Sequence, residues 1–357
     1  MTTGNRPPRR RRRRRDRRRA GAITAIVVVI VAAVGIAIAT RSDGHSATAT
    51  TAPGTTSATA PTTTVTTPPP PPPAKTYSVG VTTIHLVDSS RTILLPDDIR
   101  ELRPLTVIVR YPTTASSNGA DVQNASPDHS DGPYPLVVFG HGFNISTAPY
   151  AALMRSWVRA GYVVAAPIFP LERPDAPGGP NENDLVNQPA DMSFVITQLT
   201  GGNQEPSSLR GLVDASHIAV AGHSDGGDTA LAVAYDPRYR DGRVDAAMIF
   251  SGAYDPYVSP FAFPADGPPL LAVQGTADVV NPAASTRQFY LAAHPPKYLL
   301  TLYGAAHLPP YSFEQPQLSI VEHTTLAFLN LYLAKGSSSA LRAVGTMAGV
   351  SHLAGVP

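Results

Sequence analysis

The amino-acid sequence predicts an α/β fold, a doubly wound and mostly parallel sheet with helices on both faces. From residue 76 onward, apolar runs typical of buried strands alternate with helical patterns, as in chains of this fold class. Two of these runs resemble central parallel strands, because they are almost wholly apolar until they end in glycine and polar residues. They are "PLVVFGHG" (residues 135–142) and "IAVAGHS" (residues 218–224). Ligands of such sheets bind at the carboxyl ends of the strands, so the polar residues after these runs are the first candidates for a site.

Each predicted element has its own local signal. Apolar runs bounded by Pro, Gly or polar residues predict strands, and the first two are expected to be antiparallel. These strands span residues 76–87, 104–112, 135–142, 162–170, 218–224, 245–253, 269–278 and 297–307. Helical patterns span residues 148–161, 191–200, 226–235, 283–294 and 319–334. The first of these helices is expected to end at Gly161 as a C-cap, and the second has Asp191 near its start.

Composition narrows the classes of protein to which the chain can belong. It has 357 residues and no cysteine, so disulfides and thiolate metal sites are excluded, and an apolar core must supply the stability. The net charge of +2 conceals an asymmetry, because eleven arginines lie between Arg6 and Arg19. From residue 42 onward, 16 Lys and Arg stand against 25 Asp and Glu. An acidic body of this kind argues against nucleic acid as a partner.

The N-terminal segments predict delivery to a membrane. Residues 1–19 form an Arg-rich segment that we expect in the cytoplasm, since positive charge flanks the cytoplasmic end of a membrane span. Residues 20–40 carry no charge, and 21 helical residues reach about 31 Å, enough to cross a bilayer. They are predicted to be a signal anchor or, if cleavage follows Ala39, a signal peptide of a secreted protein.

The remaining segments predict one large domain on a spacer. Residues 41–75 are rich in Thr, Ala, Ser and Pro and end near six consecutive prolines, a composition typical of an extended linker. Residues 76–335 are predicted to form the catalytic domain on the outer side of the membrane. Residues 336–357 are expected to be a loosely attached tail or a short helix.

The sequence Gly222-His223-Ser224-Asp225-Gly226 predicts a catalytic nucleophile. A sharp strand-to-helix turn exposes a serine hydroxyl, and glycines on both sides remove side chains that would clash there. An ordinary turn also accommodates a serine between glycines. The position of Ser224 after an apolar strand and before an Ala-rich helix favours the nucleophile.

A nucleophilic serine needs a base and an acid, which follow it in the chain in this type of arrangement. His307 ends the predicted strand 297–307 and is the candidate base. Asp278 ends the preceding strand and is the favoured acid, and Asp255, one strand earlier, is the alternative. The backbone N–H groups of Phe143 and Asp225 are the predicted oxyanion-hole donors, since they follow the first central strand and the nucleophile.

The motifs "FGHGF", "AGHSDGG", "QGTAD" and "YGAAH" stand in an order and spacing that resemble the α/β-hydrolase superfamily, and the resemblance covers residues 76–335. Within it, "RPLTVIVRYP", "HGF" and "DMSFVITQL" are similar to the group of dienelactone hydrolases and platelet-activating-factor acetylhydrolases, with polyester hydrolases and chlorophyllases as relatives. The resemblance implies a Ser–Asp–His esterase formed by Ser224, Asp278 and His307, with no metal and no organic cofactor.

Three features depart from the resembling families. Dienelactone hydrolases use a cysteine nucleophile, which this chain lacks, so that activity is not expected. Lipase-like relatives often have an apolar or aromatic residue where Asp225 stands, and this chain has no long apolar insertion that would predict a lid.

The loop of residues 169–189 either forms a rim that sets substrate choice or is a solvated crossover. The aromatic residues of Tyr254–Pro264 are expected to pack against the domain itself.

The sequence therefore predicts an extracytoplasmic serine esterase that is membrane-anchored, or secreted if it is cleaved. The expected substrate is a small-molecule or lipid-like carboxylic ester, hydrolysed through an acyl-enzyme. Two alternatives stay open. One is a serine peptidase of related fold, and the other is a non-catalytic binding module of the cell envelope.

Overall fold

The computed structural model describes residues 75–202 and 206–357. The segments predicted at residues 1–19 and 20–40, and the linker predicted at 41–75 apart from Lys75, lie outside the described residues. In the part of the chain that is described, no helix is both long and apolar enough to cross a membrane.

The fold is a mixed, mostly parallel sheet of ten strands, which confirms the predicted fold class. The strands are β1 Ser78–Leu94, β2 Arg100–Thr113, β3 Val122–Gln123, β4 Tyr134–Gly140, β5 Val163–Ile168, β6 Val213–His223, β7 Ala246–Phe250, β8 Leu270–Gly275, β9 Lys297–Leu302 and β10 Ser351–Val356. The strand order across the sheet is β10-β9-β8-β7-β6-β4-β5-β2-β1-β3. The strands from β4 to β9 are mutually parallel, while β2 is antiparallel to β5 and to β1.

Helices cover both faces of the sheet, because alternate residues of each central strand point to opposite sides. In β4, Leu136 and Val138 join one apolar core with α2, α3 and α4, whereas Val137 and Phe139 join a second core with α1, α5 and α6. The helices are α1 Ala151–Arg159, α2 Gln188–Thr200, α3 Asp225–Tyr235, α4 Ala283–Ala292, α5 Gln317–Leu333 and α6 Ser338–Val344. Short 3₁₀ turns connect several of these elements.

Residues 336–357 contain a short helix, one of the two expectations for this segment, but they are integrated into the fold and do not form a loose tail. They form α6 and then β10, which pairs antiparallel with β9 over its whole length from Ser351 to Val356. Backbone pairing of this kind satisfies the outer edge of β9, which would otherwise present unpaired N–H and C=O groups. The sequence gives no strong strand signal there because the segment "SHLAGV" is short and only partly apolar.

The hairpin of β1 and β2 is longer than predicted and extends past the carboxyl end of β5, where the pairing of β2 with β5 ends at Thr106 and Ile168. The predicted strands end at residue 87 and begin at 104, but the pairing continues to Leu94 and Arg100 past an irregularity after Asp88. Arg103, which is fully buried, donates to both oxygens of Asp184 and of Asp191 at 2.6–3.0 Å. Arg91 adds a bond to Asp191 at 2.7 Å. These ion pairs join the hairpin to the first turn of α2 and to the 3₁₀ turn that precedes it.

Replacing Arg103 by Met is predicted to destabilise the protein by about 3–5 kcal/mol, because two buried carboxylates then lose their main cationic partner. The measurement is urea unfolding of residues 75–357 followed by circular dichroism. Arg240→Met is the matched control, since Arg240 pairs with the exposed Asp266 at the surface and should cost about 1 kcal/mol or less. Equal losses in the two variants would contradict a structural role of the buried network.

Candidate active site

Ser224 lies on the turn between β6 and α3 in a strained backbone conformation. Its φ of 56° and ψ of −125° lie outside the regions favoured by residues with a side chain. The turn is held on both sides, because the Ser224 N–H donates to the Phe250 carbonyl at 3.0 Å and the Ser224 carbonyl accepts from Gly227 at 2.7 Å. Ser224 is 8% exposed, at the carboxyl end of a central strand.

The glycines that flank this turn are required by the close approach of backbone segments. A Cβ atom on Gly222 would lie 2.0 Å from the Gly226 carbonyl oxygen. A Cβ atom on Gly226 would lie 2.2 Å from the carbonyl oxygen of Gly140, at the end of β4. The pattern on which the sequence prediction depends is therefore a packing requirement between β4, β6 and α3.

Asp278 and His307 meet at the same edge of the sheet. His307 Nδ1 lies 2.8 Å from Asp278 Oδ2, and the other carboxylate oxygen accepts the backbone N–H groups of Val280 and Asn281, each at 2.9 Å. Burial alone would raise the pKa of Asp278, but the hydrogen bond from His307 and the backbone donors outweigh it, so the pKa lies below the usual range. An ionised Asp278 holds Nδ1, which leaves Nε2 as the ring nitrogen that can take up a proton.

Asp255, the alternative acid, has a different environment. It lies in the loop after β7 and accepts the backbone N–H of Tyr257 at 2.8 Å, as a turn residue does. Within the described residues it makes no hydrogen bond to His307. The structure thus brings Asp278, and not Asp255, to the imidazole.

The turn after β4 packs directly against Ser224, the predicted nucleophile. A Cβ atom on Gly142 would lie 3.0 Å from the Ser224 Cβ. His141 fixes this turn, because its Nδ1 lies 2.8 Å from the Gly142 carbonyl and its Nε2 accepts the Phe169 N–H at 3.0 Å. In the described part of the chain the Phe143 N–H donates to no acceptor, so it is free to bind an oxyanion.

Sequence reasoning missed several polar residues that surround the predicted site. His223 Nε2 lies 2.8 Å from the His307 carbonyl, and the two imidazole rings are 4.4 Å apart. Ser251 Oγ lies 2.9 Å from the Tyr311 hydroxyl and contributes to the low pKa of Asp278. The sequence signal that could have identified His223 and Ser251 as site residues is their position at the carboxyl ends of β6 and β7.

The buried carboxyl groups near Ser224 have no cationic partner among the residues that the structure describes. Glu172 is fully buried, and neither of its oxygens makes a hydrogen bond within the described residues; the same holds for one oxygen each of Asp225 and Asp228. Burial raises the pKa of Asp225 to about 7, and the negative charges of Glu182 and Asp255 add to this shift. Burial likewise raises the pKa of Glu172 and of Asp228 well above the usual range.

The loops of residues 169–189 and Tyr254–Pro264 make different contacts. In the loop of residues 169–189, Glu172 accepts the Asn144 N–H through its backbone carbonyl at 2.8 Å, which attaches this loop to the predicted oxyanion turn. In the other loop, Phe261 and Phe263 are buried in the core, as expected for packing against the domain, whereas Tyr254 and Tyr257 are exposed. Among the described residues, no group of three or more His, Asp or Glu side chains is arranged to hold a metal ion.

Comparison with known proteins supports this assignment of the fold. A model of the chlorophyllase family matches residues 105–251, which include the oxyanion turn and Ser224 but not Asp278 or His307. Chlorophyllase type 0 of Chenopodium album is 30% identical over 104 residues, a match that spans 29% of this chain and 29% of that protein. The solved structure of a ferulic acid esterase from Streptomyces cinnamoneus is similar with a TM-score of 0.58 at 25% identity, over 76% of this chain and 97% of that one.

The sheet order, the strained serine turn and these similarities point to the same conclusion. The chain has an α/β-hydrolase fold and resembles the chlorophyllase family over residues 105–251.

Proposed function

We propose that this protein is a serine esterase that hydrolyses carboxylic esters through Ser224, His307 and Asp278. The observation that carries the proposal is the 2.8 Å contact between His307 and Asp278 at the sheet edge where the strained Ser224 turn lies. A serine on such a turn, an imidazole and an ionised carboxylate are the parts of a nucleophilic acyl-transfer site. The similarity to a chlorophyllase and to a ferulic acid esterase supports an ester as the substrate.

The proposed reaction has two steps. The Ser224 oxygen attacks the ester carbonyl carbon while His307 Nε2 takes the hydroxyl proton, and the resulting oxyanion accepts hydrogen bonds from the Phe143 and Asp225 N–H groups. The bond to the alcohol oxygen then breaks, and His307 returns the proton to the leaving alcohol. Water attacks the acyl-enzyme in the same way, which releases the carboxylic acid and restores Ser224. Asp278 stabilises the imidazolium that forms in each step.

The chemistry of the surroundings favours neutral esters over anionic ones. The charges of Glu182 and Asp255 raise the pKa of Asp225, and no cation contributes to the pKa shift of any of the three. An anionic acyl or alcohol group would therefore find no compensating positive charge among these groups, and its transfer from water would cost free energy. We propose small-molecule or lipid-like neutral esters as the substrate class.

Residues 75–357 are predicted to react with a fluorophosphonate probe, and Ser224→Ala is predicted to abolish both this labelling and the hydrolysis of a p-nitrophenyl ester panel. The physical reason is that the probe bonds only to a serine oxygen whose proton a base can remove. Labelling is read by in-gel fluorescence and hydrolysis by absorbance. A folded parent protein that neither labels nor hydrolyses any ester would refute the proposed function.

Two aspartate variants provide a matched control for this experiment. Asp278→Asn should slow labelling and hydrolysis by about 10³–10⁴-fold, because the imidazole loses the carboxylate that orients it. Asp255→Asn removes a carboxylate of the alternative position and should leave labelling nearly unchanged. The reverse order of effects would assign the acid to Asp255.

The esterase rate is predicted to fall above about pH 7, as the buried Asp225 loses its proton. The charged carboxylate would oppose the oxyanion that forms beside it and would attract its own backbone N–H, the predicted oxyanion donor. A unit charge about 5 Å away at an effective dielectric constant of about 20 is enough for at least a tenfold loss. The measurement is kcat/KM between pH 5.5 and 9.5, in which Asp225→Asn should show no such decline.

Protein stability provides a second readout that does not depend on activity. The raised pKa of Asp225 in the folded state contributes stability at acid pH, which is lost as the pH rises through about 7. Asp225→Asn should therefore raise the melting temperature more at pH 9 than at pH 5. Asp266→Asn, at an exposed aspartate, is the control and should show no such trend. A parallel trend in both variants would contradict the assignment to Asp225.

We further propose that the catalytic domain faces the outside of the cytoplasmic membrane, tethered by residues 20–40 or released after Ala39. Support comes from the sequence pattern of an Arg-rich segment, an uncharged stretch and a Thr- and Pro-rich spacer. Protease added to intact cells that express the full chain should remove the domain from the tether. A domain that stays protected until the cells are lysed would contradict this location.

A further inference from the structure

His223 lies where three loops of the predicted site meet. It is the last residue of β6, directly before Ser224, and its side chain is almost completely buried. Its Nε2 lies 2.8 Å from the carbonyl oxygen of His307, in the loop after β9. Its Nδ1 lies 2.8 Å from the hydroxyl of Tyr150, at the start of α1. Both ring nitrogens are thus engaged, and each partner belongs to a different segment.

The partners fix which nitrogen carries the proton. A carbonyl oxygen can only accept, so Nε2 must be the protonated nitrogen, and Nδ1 must accept from the Tyr150 hydroxyl. Burial, together with the nearby His307, holds the pKa of His223 well below its usual range, which keeps the ring neutral. Burial also raises the pKa of Tyr150, which keeps its hydroxyl proton available to donate.

The predicted oxyanion turn packs against the same ring. A Cβ atom on Gly142, the residue that precedes Phe143, would lie 3.3 Å from His223 Nδ1. A directed chain of hydrogen bonds runs from the Tyr150 hydroxyl through the His223 ring to the His307 carbonyl, and the Gly142 backbone lies against this chain. The His223 ring therefore contacts both the backbone that precedes one predicted oxyanion donor and the backbone of the predicted base.

On the basis of the esterase function proposed above, we propose that His223 is a positioning residue that holds the His307 loop and the Gly142–Phe143 turn in register around Ser224. It forms no bond to the substrate in this role. Its neutral ring, 4.4 Å from the His307 ring, also avoids placing a second positive charge beside the imidazolium that the reaction creates.

Kinetics of three variants test the role. His223→Phe should lower kcat about 10–100-fold, as expected for a base displaced by a fraction of an ångström, while KM changes little. His223→Gln, whose amide keeps a donor directed at the His307 carbonyl, should recover most of the loss. Tyr150→Phe should lower kcat by itself but add little to His223→Phe, because both residues belong to one chain.

Each kcat is divided by the concentration of active sites, which is measured from the burst of alcohol released when the ester first acylates the enzyme. A residue that only supports folding would lower the number of active sites or the melting temperature and leave kcat per site unchanged. His129→Phe is the matched control, since the exposed His129 also binds a backbone carbonyl, that of Ser208 at 2.9 Å, outside the site. Unchanged kcat per site in His223→Phe, or no recovery in His223→Gln, would overturn the proposal.

Nitrogen-15 NMR of histidine-labelled protein tests the bond pattern independently of catalysis. The resonances that disappear in His223→Gln should belong to a ring with an unprotonated Nδ1 and a protonated Nε2, at all pH values at which the protein is folded. A protonated Nδ1 would overturn the proposal even in an active enzyme. A wild-type protein that does not react with the fluorophosphonate probe would refute the esterase function, whereas the spectrum would still decide the direction of the bonds.

Discussion

The close approach of backbone segments at the ends of β4 and β6 is the constraint on which the rest of the site depends. Gly140, Gly222 and Gly226 leave no room for a side chain, since any added Cβ atom would lie within 3 Å of another backbone. This packing holds Ser224 in a backbone conformation that costs about 1–3 kcal/mol, and the sheet bond to Phe250 retains it. This strained conformation places the Ser224 hydroxyl at the edge of the sheet where the loops after β4, β8 and β9 converge.

The buried carboxyl groups of the domain fall into two classes, depending on their neighbours. Asp184 and Asp191 pair with Arg103, Asp191 pairs also with Arg91, and Asp278 is held by His307 and backbone donors. Within the described residues Glu172, Asp225 and Asp228 have no cationic partner, so burial raises their pKa values and favours the protonated form. The donors around Asp278 thus keep its carboxylate ionised, while burial favours the neutral form of the other three, a division that acid–base sites commonly use.

The sequence predicted most of the sheet and the positions of Ser224, Asp278 and His307 because these features have local signals. Apolar runs mark the strands, and polar residues after them mark the catalytic edge. The structure added what local patterns cannot carry. The pairing of β10 with β9, the ion pairs of Arg103 with Asp184 and Asp191, and the contact of His223 with His307 all join residues that are far apart in the chain. Each of them depends on side chains or backbone groups that meet only after the sheet has formed.

Three histidines stand near the carboxyl ends of strands, and their partners give them three different capacities. His141 bonds to backbone groups on both sides and is fully buried, which lowers its pKa to about 4. His223 is held neutral between a hydroxyl donor and a carbonyl acceptor. Only His307 faces a carboxylate, so it alone of the three can gain a proton with a counter-charge already in place. The geometry therefore favours His307 as the base of the proposed reaction, whereas the contacts of His141 and His223 are with the surrounding loops.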